Sequence, residues 1–236
     1  MLVAAAVCPC PPLLVPEVAA GAADELVGAR TACSDALGVL AASRPDRLYV
    51  IGPADRGDAV ETFPAGSVGR FAGFGVELSV RLGAGPAGER SLPASLAVGA
   101  WLLERARWSD APIEGIGVPL RLAEGPCTAT GRELAASADR VALLVMGDGS
   151  ACRTLKAPGY LDERAAPFDA EAARALGAAD LDALRAIDAD LAYELKAAGR
   201  ASWQVLAGAG EGAGLEGRLL HEDAPYGVGY IVAAWS

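Results

Sequence analysis

The N-terminal stretch that decides the fold reads Leu2-Val3-Ala4-Ala5-Ala6-Val7-Cys8-Pro9-Cys10-Pro11-Pro12-Leu13-Leu14. Its apolar first half predicts a short buried strand that ends on a cysteine. Proline fixes its own φ and cannot donate to a sheet, so the prolines should hold Cys10 rigidly just past the strand's C-terminal end. Ligands of open α/β sheets bind outside such carboxyl ends. Cys10 is therefore the first candidate to face a ligand or a metal.

Downstream, strand and helix patterns alternate along the chain. Apolar residues at helical spacing predict helices over 16–40, 92–107, 128–138, 169–176 and 181–198. Strands are predicted over 47–51, 76–82, 113–120, 141–146, 219–221 and 229–235, and 202–207 begins either a strand or a helix. The whole chain, 1–236, should form one α/β domain of three layers, with a mostly parallel or mixed central sheet flanked by helices. A right-handed crossover should make strand 47–51 the parallel neighbour of the first strand, which would bring Cys10 close to Ala54.

Composition excludes several classes of partner. The 236 residues carry a formal net charge of −10, which argues against binding to nucleic acid or to an anionic membrane. The chain has no apolar run of about eighteen residues and no basic, apolar leader, so we expect a soluble, cytoplasmic protein. The chain has five cysteines, an odd number that does not suggest a disulfide framework in a protein of this size. We therefore expect reduced thiols.

The loop Gly147-Asp148-Gly149-Ser150-Ala151-Cys152-Arg153 follows the most apolar strand. Its backbone N–H groups could cradle an anion, with Arg153 and Lys156 supplying charge, or it could be a plain turn.

Two thiol sites are also conceivable. Cys8 and Cys10 could chelate a soft metal with Cys152 and His221, or His221 could activate Cys10 as a nucleophile. His221 can equally be a surface residue.

Taken together, the loops resemble the LigB-like catalytic-subunit superfamily of class III extradiol ring-cleaving dioxygenases, and within it the Memo-like branch. The opening Cys8-Pro9-Cys10-Pro11-Pro12-Leu13-Leu14 is similar to that family's P-H-P-P-L-L start. Further similarities follow in family order: Gly52-Pro53-Ala54 to S-P-H, Phe71-Ala72-Gly73-Phe74-Gly75 to F-x-x-F-G, Gly147-Asp148-Gly149-Ser150-Ala151 to G-D-L-S-H, Ala157-Pro158-Gly159-Tyr160 to A-P-G-G-(Y/F), and Pro167-Phe168-Asp169 to (E)-F-D.

The resemblance implies a non-haem Fe(II) held by two histidines and a carboxylate, with a further histidine as acid and base. Carried over, the two histidine-ligand positions hold Cys10 and Ala54, and the acid/base position holds Ala151. The carboxylate position falls near Ala197, with Glu194 three residues away. The family chemistry needs three histidines and this chain has one. We therefore expect no Fe(II) cofactor, and ring-opening dioxygenase activity is the least favoured function.

The favoured hypothesis is a protein that binds a small organic ligand or takes part in an assembly, with homo-oligomerisation as one option. The alternative is an enzyme with new, thiol-based chemistry at Cys10 or Cys152 in the same crevice. The predicted crevice is lined by Cys10, Pro12, Ala54, Asp55, Arg56, Asp148, Ser150, Ala151, Cys152, Arg153, Tyr160 and Tyr226.

Overall fold

The first strand, β1, lies at the centre of the fold and is covered on both faces. The structure is a computed structural model that describes residues 1–54, 57–88 and 90–236. β1 spans Leu2–Cys8, with Ala4, Ala6 and Cys8 in one apolar core and Ala5 and Val7 in the other. Successive side chains of a strand point to opposite faces, so an all-apolar strand needs a layer on each side.

Seven strands form one mixed sheet in the order β3-β6-β2-β7-β1-β9-β8, and β4 and β5 form a separate antiparallel pair. The strands are β1 (Leu2–Cys8), β2 (Arg47–Ala54), β3 (Glu61–Phe63), β4 (Val68–Arg70), β5 (Ser79–Arg81), β6 (Ile113–Pro119), β7 (Val141–Met146), β8 (Gly217–Asp223) and β9 (Tyr230–Trp235). β6, β2, β7 and β1 run parallel, so their carboxyl ends share one edge of the sheet. We call this the carboxyl edge.

Helices cover both faces of the sheet, which confirms the predicted three-layer α/β fold. They are α1 (Pro16–Ala19), α2 (Val27–Ala42), α3 (Ala94–Arg105), α4 (Glu124–Ala136), α5 (Ala165–Gly177), α6 (Leu181–Arg185), α7 (Ala189–Glu194) and α8 (Arg200–Ala209). α2 and α3 pack on one face, against β1, β2, β7 and β9. α5 and α8 pack on the other, and α4 lies against α8.

The predicted neighbour of β1 was wrong. β7 lies between β1 and β2 and pairs in parallel with both. Neighbouring strands are about 4.8 Å apart, so roughly 10 Å of sheet separates β1 from β2. Both strands do end at the carboxyl edge, and the loop after β7 reaches the turn at Cys10 through Asp148.

Two long predicted helices are broken, each at a residue with a local reason. The segment 16–40 divides into α1, a 3-10 segment (Ala20–Leu26) and α2, because Ala20 has a φ of 48° and ends α1. The segment 181–198 divides into α6 and α7, because the Asp188 side chain accepts a hydrogen bond from Leu191 N and starts a new helix. Residues 202–207 are helical, within α8.

None of the helices within the described ranges is both long and apolar enough to cross a membrane.

Candidate functional site

Asp148, in the loop after β7, fixes the turn after β1. Cys10 N donates to Asp148 Oδ1 at 2.8 Å, and Cys10 Sγ lies 3.8 Å from Asp148 Oδ2. β1 and β7 are paired up to Cys8 and Met146, so the two loops leave the sheet side by side. The structure therefore brings together two of the predicted crevice residues at the carboxyl edge.

The Asp148 carboxyl is poised to take or give a proton near neutral pH. Burial raises the pKa of Asp148 to about 7, although the hydrogen bonds from the Cys10 amide and thiol lower it. Tyr230 is buried at the start of β9, and burial, reinforced by the charge of Asp148, raises the pKa of its phenol. The Asp148 carboxyl and the Cys10 thiol are thus near enough to Tyr230 to affect the ionisation of its phenol, and these three groups are of the types that carry out acid–base chemistry.

Asp169, at the start of α5, is the polar centre of the loop after β7. It is 1% exposed and accepts hydrogen bonds from Ser150 N at 2.6 Å and Ser150 Oγ at 2.8 Å. Arg153 Nη1 donates to its Oδ2 at 3.0 Å. A Cβ on Gly149 or Gly229 would lie only 2.6 or 2.5 Å from the Asp169 oxygens, so glycine is needed at both positions. Ser150 and Arg153 therefore serve the loop's own structure.

The same loop is not arranged as an anion cradle. Its N–H groups are used inside the protein: Gly149 N donates to Gly229 O, Ala151 N to Leu195 O, and Arg153 N to Gly227 O. Together with the Ser150 N bond to Asp169, these contacts leave no row of N–H groups for a phosphate or sulfate. The plain-turn interpretation is the one that fits.

Cys152 has the surroundings of a structural thiol. It is buried, and its Sγ donates to Leu195 O at 3.4 Å. Burial, with a smaller effect from Asp162, raises the pKa of the thiol. A thiol held in the protonated form is a poor nucleophile, so nothing in this geometry activates Cys152.

The remaining predicted crevice residues are dispersed. Pro12 starts a 3-10 turn (Pro12–Leu14), and Tyr160 is exposed with a φ of 65°. The Tyr226 hydroxyl donates to Glu25 Oε2 at 2.9 Å, a contact that raises the pKa of the phenol. Asp55 and Arg56 lie outside the described residues.

The positions that match the family's Fe(II) ligands do not fit the metal. Ala54, at a matched ligand position, is a buried methyl group with no lone pair to offer, and so is Ala151, which matches the acid/base histidine. The Glu194 carboxylate is bound to Arg164 at 2.8 Å, and Ala197 is buried. Within 1–54, 57–88 and 90–236, no group of three or more His, Cys, Asp or Glu side chains is placed to hold a metal ion.

His221 does not pair with Cys10. It lies on the edge strand β8, and β9 separates that strand from β1. Its ring packs towards α2, with Cε1 3.6 Å from where a Cβ on Gly28 would be. The structure therefore does not bring together the residues of the predicted Cys–His pair.

A cavity of about 400 Å³ opens at the carboxyl edge, and we call it the edge cavity. Its lining is mainly apolar and comes from the end of β6 and from the segment around α7: Leu120, Ala192, Tyr193, Glu194, Lys196, Ala197 and Ala198. Arg121 stacks on the outer face of Tyr193, with its guanidinium carbon 4.3 Å from the ring centroid. Ala197, the position matched to the family's ligand carboxylate, is part of this wall.

Sequence reasoning missed three of these features. Tyr230 lies in an apolar run that predicted a strand, and nothing in that run indicated that its phenol lies near Asp148. Asp169 was visible only through the similarity of Phe168-Asp169 to the family's F-D pair. Tyr193 lies in a stretch predicted as one continuous helix, so its exposure beside a cavity could not be anticipated.

Comparison with known proteins supports the fold alone. No protein-family model matches the sequence. No curated protein matches it either. Among solved structures, the crystal structure of uncharacterized protein JW3007 from Escherichia coli K12 aligns with a TM-score of 0.54 at 14% identity, covering 99% of each chain. The chain is therefore similar to that protein in fold along its whole length.

Proposed function

We propose that this chain is a LigB-like protein without the Fe(II) site, and that it binds a small, largely apolar organic ligand in the edge cavity. The order of the loop motifs supports the family assignment. The α/β fold agrees with it, because the resemblance implies such a fold. Fold alone does not imply function, so the ligand proposal rests on the cavity itself.

The observation that carries the proposal is the cavity wall around Ala197. A volume of about 400 Å³ falls in the range of small-molecule sites. Leu120 and Tyr193 expose apolar surface at its mouth, which a flat apolar ligand would cover. The one acidic side chain of the lining, Glu194, is already neutralised by Arg164.

Binding of 2-naphthol, a flat and neutral probe at pH 7, tests the proposal by isothermal titration calorimetry. We expect saturable binding that weakens at least about fivefold in Leu120→Ala and in Tyr193→Ala, because each removes apolar contact area. Leu155→Ala is the matched control, since Leu155 is an exposed leucine outside the cavity lining. Equal affinities in all four proteins would contradict the proposal.

A second candidate function is acid–base or thiol chemistry at Cys10, and the contact between Cys10 Sγ and Asp148 favours it. The test is the rate of Cys10 alkylation by iodoacetamide at pH 7, in the wild type and in Asp148→Asn. An activated thiol would react faster than free cysteine and slow down in the variant. A rate no faster than that of free cysteine removes this candidate.

A further inference from the structure

A second cavity, also of about 400 Å³, lies between α2 and α3 on the outside of the helical layer, and we call it the interhelix cleft. Its lining comes only from those helices and the residue after α3: Arg30, Ser34, Leu37, Trp101, Leu102, Arg105 and Ala106. None of these residues lines the edge cavity or belongs to the loops at the carboxyl edge. The cleft is therefore a separate feature that the proposed function does not use.

The charged side chains of the cleft are both cationic. Arg30 and Arg105 line it and no aspartate or glutamate does. Neither guanidinium forms an ion pair with any carboxylate in the part of the chain that the structure describes. The chain as a whole carries a net charge of −10. The interhelix cleft, with two cations and no acidic side chain, is therefore locally positive on a negatively charged protein.

Arg30 is held in place and has hydrogen-bonding capacity to spare. Its Nη2 donates to Ala23 O in the 3-10 segment before α2, at 2.5 Å. Its Nη1 is buried and has no hydrogen-bond partner among the described residues. A buried N–H group without an acceptor costs about 1–3 kcal/mol, and more on a charged group. Ser34 lies one helical turn further along α2, next to Arg30 on the same face.

Apart from Ser34, the other side chains of the cleft are apolar. Trp101 is buried and forms part of the lining, and the Arg105 guanidinium lies over its ring with its carbon 5.6 Å from the centroid. Leu37 faces it from α2. An aromatic wall beside two cations suits a molecule with a flat apolar body and an acidic group at one end.

We propose that the interhelix cleft is a binding site for a small aromatic organic anion, such as a carboxylate. The acidic group lies between the Arg30 and Arg105 side chains and pairs with their positive charges. The aromatic body packs on Trp101 and Leu37. This site is additional to the edge cavity and would exist whether or not the edge cavity binds a ligand.

Calorimetric titration with 2-naphthoate tests the proposal, with 2-naphthol as the neutral analogue. We expect 2-naphthoate binding to weaken about tenfold or more in Arg105→Gln and in Arg30→Gln, since each loses a charge-assisted hydrogen bond or ion pair. Arg70→Gln is the matched control, because Arg70 is an exposed arginine on β4 with no ion pair among the described residues. Tyr193→Ala should leave this affinity unchanged.

Three results would overturn the proposal: no saturable binding of 2-naphthoate, equal affinity in the wild type and Arg105→Gln, or loss of binding in Tyr193→Ala alone. The last would assign the anion to the edge cavity. Arg105 is exposed, so Arg105→Gln provides the test even if Arg30→Gln fails to fold. The 2-naphthol experiment on Leu120 and Tyr193 can fail independently, so failure at one site is distinguishable from failure at the other.

Discussion

Replacing Asp148 by asparagine should remove a pH dependence of stability that the half-buried carboxyl imposes. The pKa of this group rises from 3.8 to about 7 in the folded protein, so the folded state holds its proton more tightly than the unfolded chain does. The associated stabilisation is fully present below about pH 4 and is lost as the pH rises towards 7. Above that range the loss is complete.

The size of the effect follows from the shift. At about 1.4 kcal/mol for each pKa unit, ionising Asp148 in the folded protein costs about 4 kcal/mol in all, and about 3 kcal/mol of this is lost between pH 5 and pH 8. Asparagine has no such titration and can still accept the hydrogen bond from Cys10 N. The unfolding free energy of Asp148→Asn relative to the wild type should therefore rise by about 3 kcal/mol over this range.

Urea unfolding at pH 5, 6, 7 and 8 measures the difference. Asp162→Asn is the matched control, because Arg164 lowers the pKa of Asp162 to about 2 and the carboxylate stays ionised throughout the range. Its effect on stability should be the same at each pH. Parallel pH profiles for the wild type and Asp148→Asn would refute the reasoning about Asp148.

Three further predictions concern the loops and α2. Asp169→Ala should lower the unfolding free energy by about 3 kcal/mol in urea titrations, because it leaves Ser150 and Arg153 without their buried acceptor; a loss below about 1 kcal/mol would contradict this. Gly38→Ala should raise the melting temperature, with a gain of about 1 kcal/mol, since nothing lies within 4 Å of the added Cβ in α2; a lower melting temperature would argue against it. The triple variant Cys10→His, Ala54→His and Ala151→His, reconstituted with Fe(II), should not cleave catechol in an oxygen-uptake assay, because Glu194 remains bound to Arg164; recovered cleavage would show that a carboxylate can still reach the metal.

Much of the fold could be predicted from local patterns. β7 was predicted with its observed bounds because a central parallel strand is apolar on both faces. Strand order could not be predicted, since the apolar pattern of β1 and β2 does not say which strand lies between them. Helix breaks at Ala20 and Asp188 depend on a backbone angle and on a capping contact that periodicity does not reveal.

The site was only partly predictable, for a related reason. The sequence placed Cys10 and Asp148 at the same sheet edge because each follows a predicted parallel strand. It did not reveal that Ser150 and Arg153 are engaged by Asp169, because that contact joins residues separated by a loop. The edge cavity is formed in part by the chain after α7, where the helix has ended. The sequence predicted one continuous helix over 181–198, so this cavity could not be predicted.

The most direct test of the central claim is the iron content of the protein, purified without chelator from cells supplied with Fe(II) and measured by plasma mass spectrometry. Ala54 at a matched histidine-ligand position, and Ala197 near the matched carboxylate position, predict well below one iron atom per chain. Stoichiometric iron would contradict the proposal that the chain lacks the Fe(II) site of the family it resembles.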